Sequence, residues 1–355
     1  MEKNAAIFRG GKRRTMIWKN AEIFNVEELI LQEDGFYATR RLKDPEQSYE
    51  KDNIFIQNKT SHGVEVRFRL NGGAARLVCR TAAGAAGKCC VFIGRTLLGE
   101  YAVTDRPTEI AAEMPAEETV RRIEKERRSP YGGRLFRFVF DGAEFFLKSL
   151  EGDLVPPREE DVPKVRGIVY GSSITAGYFG GFLPALSYVR VMERALGAEI
   201  ENLGFAGVCL AEEWIARRIA ARGKYDFVAL ELGVNVMYRM ETAEFSRRVN
   251  AFLSSLTAAL PKTPVVCTDC FPFAYWQSGI SEEKYRAYKS AVREAVKNCG
   301  KSACYADGET LLAGMRHLAA DGVHPDAFGH IEIGKNFARA IAAHAGIGYC
   351  DPMDL

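Results

Sequence analysis

Two short segments far apart in this chain hold residue types that could carry nucleophilic chemistry. Asp321-Gly322-Val323-His324-Pro325 lies just before a stretch with helical spacing. An imidazole can take a proton from a hydroxyl when an acceptor on its other nitrogen fixes the tautomer and stabilises the imidazolium. An acid and a histidine three residues apart on a tight turn can bring the carboxylate to Nδ1 and leave Nε2 free. The competing reading is a surface Asp capping the next helix, with His324 incidental. Of the five histidines, four follow Ser173, and only His324 has an acid at this spacing with a Pro-initiated helix behind it. The hydroxyl is offered by Gly171-Ser172-Ser173-Ile174-Thr175-Ala176-Gly177, which follows the apolar run ending at Val169-Tyr170. Taken alone, such a turn reads as a plain strand-to-helix connection or a phosphate cradle. Two more segments, Asn202-Leu203-Gly204-Phe205-Ala206-Gly207 and Glu231-Leu232-Gly233-Val234-Asn235, could supply a glycine N–H and a side-chain amide to a developing oxyanion.

The elements that must position these residues are set by the rhythm of the second half. Val165–Tyr170, Glu199–Leu203, Phe227–Leu232, Pro264–Cys270 and Ala303–Ala306 read as strands. Between and after them, Leu183–Leu196, Ala211–Ala221, Ala243–Leu260, Glu282–Asn298 and Ala327–Ala343 have helical spacing. Strand–helix alternation repeated five times implies a parallel sheet covered on both faces, with functional residues at the carboxyl ends of the strands. The four segments above all fall at such ends or, for Asp321 and His324, just before the last helix.

The first part reads as β. Val64, Val66, Phe68 and Leu70 alternate with Glu65, Arg67 and Arg69, which predicts a strand with one wet face. Asn71-Gly72-Gly73 then reads as a turn into a second strand over Ala75–Thr81. Lys88–Gly94 reads as a buried strand. Phe136, Phe138 and Phe140 alternate toward Asp141-Gly142, a hairpin signal into Ala143–Leu150. Asn20–Leu31 is expected to be a short helix or irregular cover. Many short strands with Gly-rich turns predict an antiparallel sandwich, jelly-roll-like, over residues 1–158. Pro156-Pro157-Arg158-Glu159-Glu160-Asp161 is a polar linker, placing an α/β domain at 159–355.

The chain has 355 residues, 47% hydrophobic and 26% charged, enough for two cores, in keeping with two domains. Its net charge of +2 gives no argument for nucleic acid or an anionic membrane. Arg121-Arg122 and Arg127-Arg128 alternate with glutamates and read as a solvated face. No signal peptide is read at Met1-Glu2-Lys3-Asn4, and no apolar run approaches the roughly 20 residues of a membrane span. Nine cysteines without a disulfide-like spacing are expected to be reduced core residues of a cytoplasmic protein. Cys267-Thr268-Asp269-Cys270 lacks a second ligand pair, so no metal is expected, nor any organic cofactor.

The four segments together resemble the conserved blocks of the SGNH hydrolase superfamily, the GDSL esterases and lipases, over roughly residues 165–345. Gly171-Ser172-Ser173-Ile174-Thr175 resembles G-D-S-[LI]-T, which implies that Ser173 is the nucleophile and also one oxyanion donor. Asn202 to Gly207 resembles N-x-G-x-x-G, making Gly207 a backbone donor. Gly233-Val234-Asn235 resembles G-x-N, making Asn235 the amide donor. Asp321-Gly322-Val323-His324 resembles D-x-x-H, the acid and base. The resemblance implies a flavodoxin-like three-layer domain. Two-domain members with a sandwich before it imply a carbohydrate esterase acting on O-acyl, above all O-acetyl, esters. Ser172 stands where the family carries Asp, which leaves the hydrogen bonding around the nucleophile open. Tyr178 and Phe179, in a loop running to Phe182, and Trp276, in Phe271–Trp276, could stack on sugar rings or serve as packing. The expected partner is a small-molecule or oligosaccharide ester, with no nucleic acid or membrane, and a homo-oligomer is conceivable. Alternatives are a short-chain or lysophospholipase-like esterase, and a carbohydrate-binding protein with an inactive second domain.

Overall fold

The computed structural model describes residues 7–9, 15–43, 54–126, 130–180 and 186–352. Met1-Asn4, Arg127-Arg128, Gly181 to Phe182 and the start of the helix expected from Leu183 lie outside these. The chain forms two compact units, Met1–Lys164 and Val165–Leu355.

Among the described residues, the first unit holds eleven antiparallel strands. They are β1 (Ile7–Arg9), β2 (Thr15–Trp18), β3 (Ala21–Phe24), β4 (Glu28–Leu31), β5 (Tyr37–Arg40), β6 (Glu65–Thr81), β7 (Ala86–Ile93), β8 (Thr96–Thr104), β9 (Thr108–Glu113), β10 (Phe136–Asp141) and β11 (Phe145–Val155). Two helices, α1 (Ile54–Asn58) and α2 (Glu117–Glu126), accompany them. The sandwich-like expectation holds, but four local readings are corrected. Asn20–Leu31 is neither helix nor irregular: Lys19 and Asn20 take positive φ of 49° and 60° and turn β2 into β3, as a two-residue hairpin loop requires. Asn71-Gly72-Gly73 is not a turn between strands. β6 runs straight through it, with Gly73 at φ +69° and register shifts in its pairing with β11; the glycines make a bulge rather than a reversal.

The Asp141-Gly142 turn does not close a hairpin, because β10 pairs with β6 and β7 whereas β11 pairs with β5 and a different stretch of β6. Phe140 and Phe145, ring centroids 4.7 Å apart, are both fully buried on either side of it. The turn is a corner that keeps both aromatics in one core. Lastly, the wet face predicted for β6 is buried. Glu65 and Arg67 are fully buried, and Glu65 accepts from Arg67 Nε (2.7 Å) and from Arg137 Nε and Nη2 (2.8 and 2.6 Å). Arg67 lies 3.6 Å over the Phe24 ring. Charge alternation signals exposure only where charges are unpaired; here they satisfy each other. Arg121 and Arg122 do form the solvated face expected, pairing with Glu117 and Glu118 one turn earlier on α2.

The second unit alternates as predicted: β12 (Val165–Gly171), α3 (Ser173–Ala176), α4 (Tyr188–Leu196), β13 (Ala198–Gly204), α5 (Glu213–Arg222), β14 (Phe227–Glu231), α6 (Thr242–Ala259), β15 (Val265–Thr268), α7 (Glu282–Asn298), β16 (Ala303–Ala306), α8 (Gly308–Leu311) and α9 (Ala327–Ala345). The sheet is parallel, in the order β13-β12-β14-β15-β16, the flavodoxin-like arrangement of an SGNH hydrolase fold. Tyr188, Val189 and Met192 of α4 and Ile333, Phe337 and Ile341 of α9 belong to one buried cluster with Val169, Ile200 and Ala229 of the sheet. Tyr170 stacks on Phe252 of α6 (5.3 Å). In register, Gly171 is level with Gly204, Tyr170 with Leu230, and Glu231 with Thr268. The carboxyl ends of four strands therefore meet along one edge.

Glu65→Leu is expected to destabilise the first unit by about 3–5 kcal/mol, because it removes the shared partner of two buried guanidinium groups. Urea denaturation monitored by tryptophan fluorescence checks this; an unchanged midpoint contradicts it.

Candidate active site

The turn after β12 has little freedom. A Cβ on Gly171 would lie 2.0 Å from Thr175 Oγ1 and 2.7 Å from Glu231 Oε2, so glycine is required there. Ser172 has extended backbone (φ −85°, ψ −159°), and its Oγ accepts from Ile174 N–H (3.1 Å), capping α3. Ser173 is thereby the first helical residue. Its Oγ lies 2.7 Å from His324 Nε2.

His324 is delivered by a tight loop. Ala319 N–H donates to His324 O (2.7 Å), Asp326 N–H donates to His317 O (2.8 Å), and Gly322 sits at φ +68°. Asp321 Oδ1 accepts from the Val323 and His324 N–H groups (2.9 and 3.0 Å), while Oδ2 lies 2.6 Å from His324 Nδ1. The helix cap that Asp321 might have supplied is supplied by Asp326, which accepts from Gly329 N–H (2.9 Å). Partial burial pushes the Asp321 carboxyl up, but those two N–H groups and the His324 ring outweigh it and hold the carboxyl below its usual range. An ionised Asp321 accepting from Nδ1–H leaves Nε2 as the acceptor facing the Ser173 hydroxyl.

The donor candidates also fall at this edge. Asn202 Nδ2 donates to Thr175 O (2.8 Å) and its Oδ1 accepts from Gly204 N–H (2.8 Å), tying the end of β13 to α3. Gly207 comes next at φ +71°. Asn235 Oδ1 accepts from Cys209 N–H (3.1 Å), which orients the amide so that Nδ2 is left to donate. Among the described residues, the Ser173 N–H, the Gly207 N–H and Asn235 Nδ2 have no hydrogen-bond partner.

The rings of Tyr178 and Phe179 lie 5.8 and 5.2 Å from the His324 ring. Phe179 is 55% exposed and Trp276 52%. Trp276 packs edge-on to Tyr275, next to Ala274, whose N–H donates to Gly322 O (2.7 Å) in the loop carrying Asp321. Buried His330 supports the aromatic loop: Nδ1 accepts from Tyr188 N–H (3.2 Å) and Nε2 donates to Tyr178 O (2.8 Å).

Three of these residues escape sequence reasoning: Cys209, His330 and above all Glu231. Glu231 is fully buried at the end of β14, and its Oε2 accepts from Ser172 N–H (2.7 Å) and Thr175 Oγ1 (3.0 Å). Burial pushes its carboxyl up to about 7, against the opposing hydrogen bonds from Ser172 and Thr175. The available signal was an acid ending an otherwise apolar strand. The question raised by Ser172 is also answered: it caps the helix, and the carboxyl beneath the turn comes from the neighbouring strand.

The second unit is an ester hydrolase domain of α/β type. Residues 169–330 match the family model of the GDSL-like lipase/acylhydrolase family. The chain thus carries a GDSL-like acylhydrolase domain preceded by a separate antiparallel β domain. Among solved structures, it is similar to a salicylyl-acyltransferase from a tetracycline biosynthetic pathway (18% identity, covering 94% of this chain and 98% of that one, TM-score 0.76). It is also similar to family two carbohydrate esterases from Cellvibrio japonicus (12%, 92% and 96%, 0.64) and Clostridium thermocellum (14%, 91% and 99%, 0.59), the latter in complex with cellohexaose. At these identities the likeness is one of fold. A search of curated proteins finds no match to this chain.

Gly171→Ala is expected to lower stability by about 1–3 kcal/mol, through overpacking against Thr175 and Glu231. Differential scanning calorimetry checks this; an unshifted melting temperature contradicts it.

Proposed function

We propose that the protein is a serine esterase that removes acyl groups, above all acetyl, from a small or oligomeric carbohydrate. The observation that carries the hydrolytic part is the continuous chain Ser173 Oγ–His324 Nε2 and Nδ1–Asp321 Oδ2, at 2.7 and 2.6 Å. His324 takes the Ser173 proton as Oγ attacks the ester carbonyl, while Asp321 orients the ring and stabilises the imidazolium. The Ser173 and Gly207 N–H groups and Asn235 Nδ2 receive the oxyanion. His324 then protonates the departing sugar oxygen, releasing it as a hydroxyl, and water repeats the sequence on the acyl-enzyme. No step calls for a metal or organic cofactor. Intact Ser173, Asp321 and His324 argue against an inactive binding protein.

The carbohydrate part rests on lighter support. Phe179 and Trp276 offer exposed ring faces beside the triad loops, and stacking on such faces suits a sugar ring. Tyr275 and Trp276 also line a cleft of about 700 Å³ with Tyr285, Arg286 and Met315, room for more than one small ring. The similar carbohydrate esterases, one holding cellohexaose, point the same way. The similar salicylyl-acyltransferase, matched over almost its whole length, supports a second reading in which the acyl group passes to an acceptor other than water. A cytoplasmic setting fits the nine free cysteines.

A fluorophosphonate is expected to label the wild type and not Ser173→Ala. Asn235→Ala is expected to lower kcat about 10²–10³-fold. Rates on acetylated xylo-oligosaccharides, compared with those on longer-chain nitrophenyl esters, test the substrate. Reaction with long chains alone contradicts the sugar-ester reading. Product partitioning in the presence of added alcohols tells hydrolysis from transfer.

A further inference from the structure

Glu231 is an unusual residue to find beneath a nucleophile turn. Its carboxyl is fully buried, no cation pairs with it among the described residues, and Oε1 has no hydrogen-bond partner. Burying an ionisable group without a counter-charge is costly, and a neutral side chain could accept the same hydrogen bonds. The retained carboxyl therefore asks for a reason. Its contacts supply one. Oε2 takes the N–H of Ser172, the residue preceding Ser173, and the hydroxyl of Thr175, one turn below. Thr175 Oγ1 in turn lies 2.6 Å from Tyr188 OH. The backbone leading into the Ser173 N–H is held from below by this single oxygen.

We infer that Glu231 is a positioning residue for Ser173: ionised, it grips the Ser172 N–H and the Thr175 hydroxyl and so fixes the peptide that presents the Ser173 N–H and Oγ, and protonation loosens that grip. Charge-assisted hydrogen bonds are roughly twice as strong as neutral ones, so the carboxylate holds the turn more firmly than the acid. The inference rests on reading Ser173 as the nucleophile.

The groups facing Glu231 are Tyr188 from α4, Cys209 from the loop after β13, and Cys267 and Cys270 from β15 and the turn beyond it. Burial holds all four protonated at neutral pH, so none supplies a charge that would compete with Glu231. Burial raises Glu231 itself to about 7. The folded state then binds its proton more tightly than the unfolded state does. The associated stability is full below the unfolded carboxyl range and is lost as pH rises toward 7. Ionisation thus costs stability while ordering the nucleophile.

The test compares wild type, Glu231→Gln and Thr175→Val, using nitrophenyl acetate. The acid limb of wild-type kcat/KM is expected to carry a proton loss from Glu231. In Glu231→Gln that proton loss is absent, with kcat lowered about tenfold and KM little changed. Thr175→Val, which removes a donor to the carboxylate, moves the Glu231 proton loss to higher pH. Independently of activity, the melting temperature of wild type is expected to fall relative to that of Glu231→Gln between about pH 5 and pH 8. Superimposable pH profiles in wild type and Glu231→Gln, or melting temperatures that run parallel across this range, overturn the inference. Absence of Ser173-dependent acylation in the wild type overturns the nucleophile reading beneath it. If Glu231→Gln does not fold, the Thr175→Val profile decides: a shifted Glu231 step supports the inference and an unshifted one overturns it.

Discussion

The 2.7 Å hydrogen bond between Ser173 and His324 joins residues 151 positions apart, and most of the second unit is arranged around keeping both ends in place. One end is a helix start wedged between strands: Gly171 admits no side chain, Asn202 ties β13 to α3, and Glu231 holds the Ser172 N–H. The other end is a loop closed on itself by Asp321 and anchored at Gly322 to the segment after β15. A parallel sheet with level strand ends is what allows residues from β12, β13 and β14 to share one edge with a loop that arrives last in sequence.

Much of this unit is legible from residues alone, because a parallel sheet buried on both faces leaves continuous apolar runs, and the helices between them keep their period. Ser173 and Asn235 stand just after predicted ends of such runs, and Asp321 and His324 just before the last predicted helix. What escaped was the polar support. Glu231 reads as an acid near the end of an apolar strand, and only the tertiary structure places its carboxyl under the neighbouring turn. Cys209 acts through its backbone N–H, for which side-chain type carries no signal. His330 lies within an apparently ordinary helix.

The first unit is less legible, and the reasons are physical. Its strands exchange partners between layers, so local turn chemistry does not report pairing. Gly72 and Gly73 bulge a continuous strand, and Asp141-Gly142 turns a corner because Phe140 and Phe145 must share a core. Glu65 and Glu22 pair with Arg67 and Arg137 in the interior, so alternation of charge with apolar residues marks two buried faces instead of one.

The proposal that Ser173 carries the acyl group between attack and release is tested most directly by rapid acid quench of the wild-type enzyme during turnover of nitrophenyl acetate, with peptide mass spectrometry of the quenched protein. One acetyl group is expected, on the peptide containing Ser173 and at that residue. Turnover with no acetylated peptide, or with the acetyl group on another residue, contradicts it.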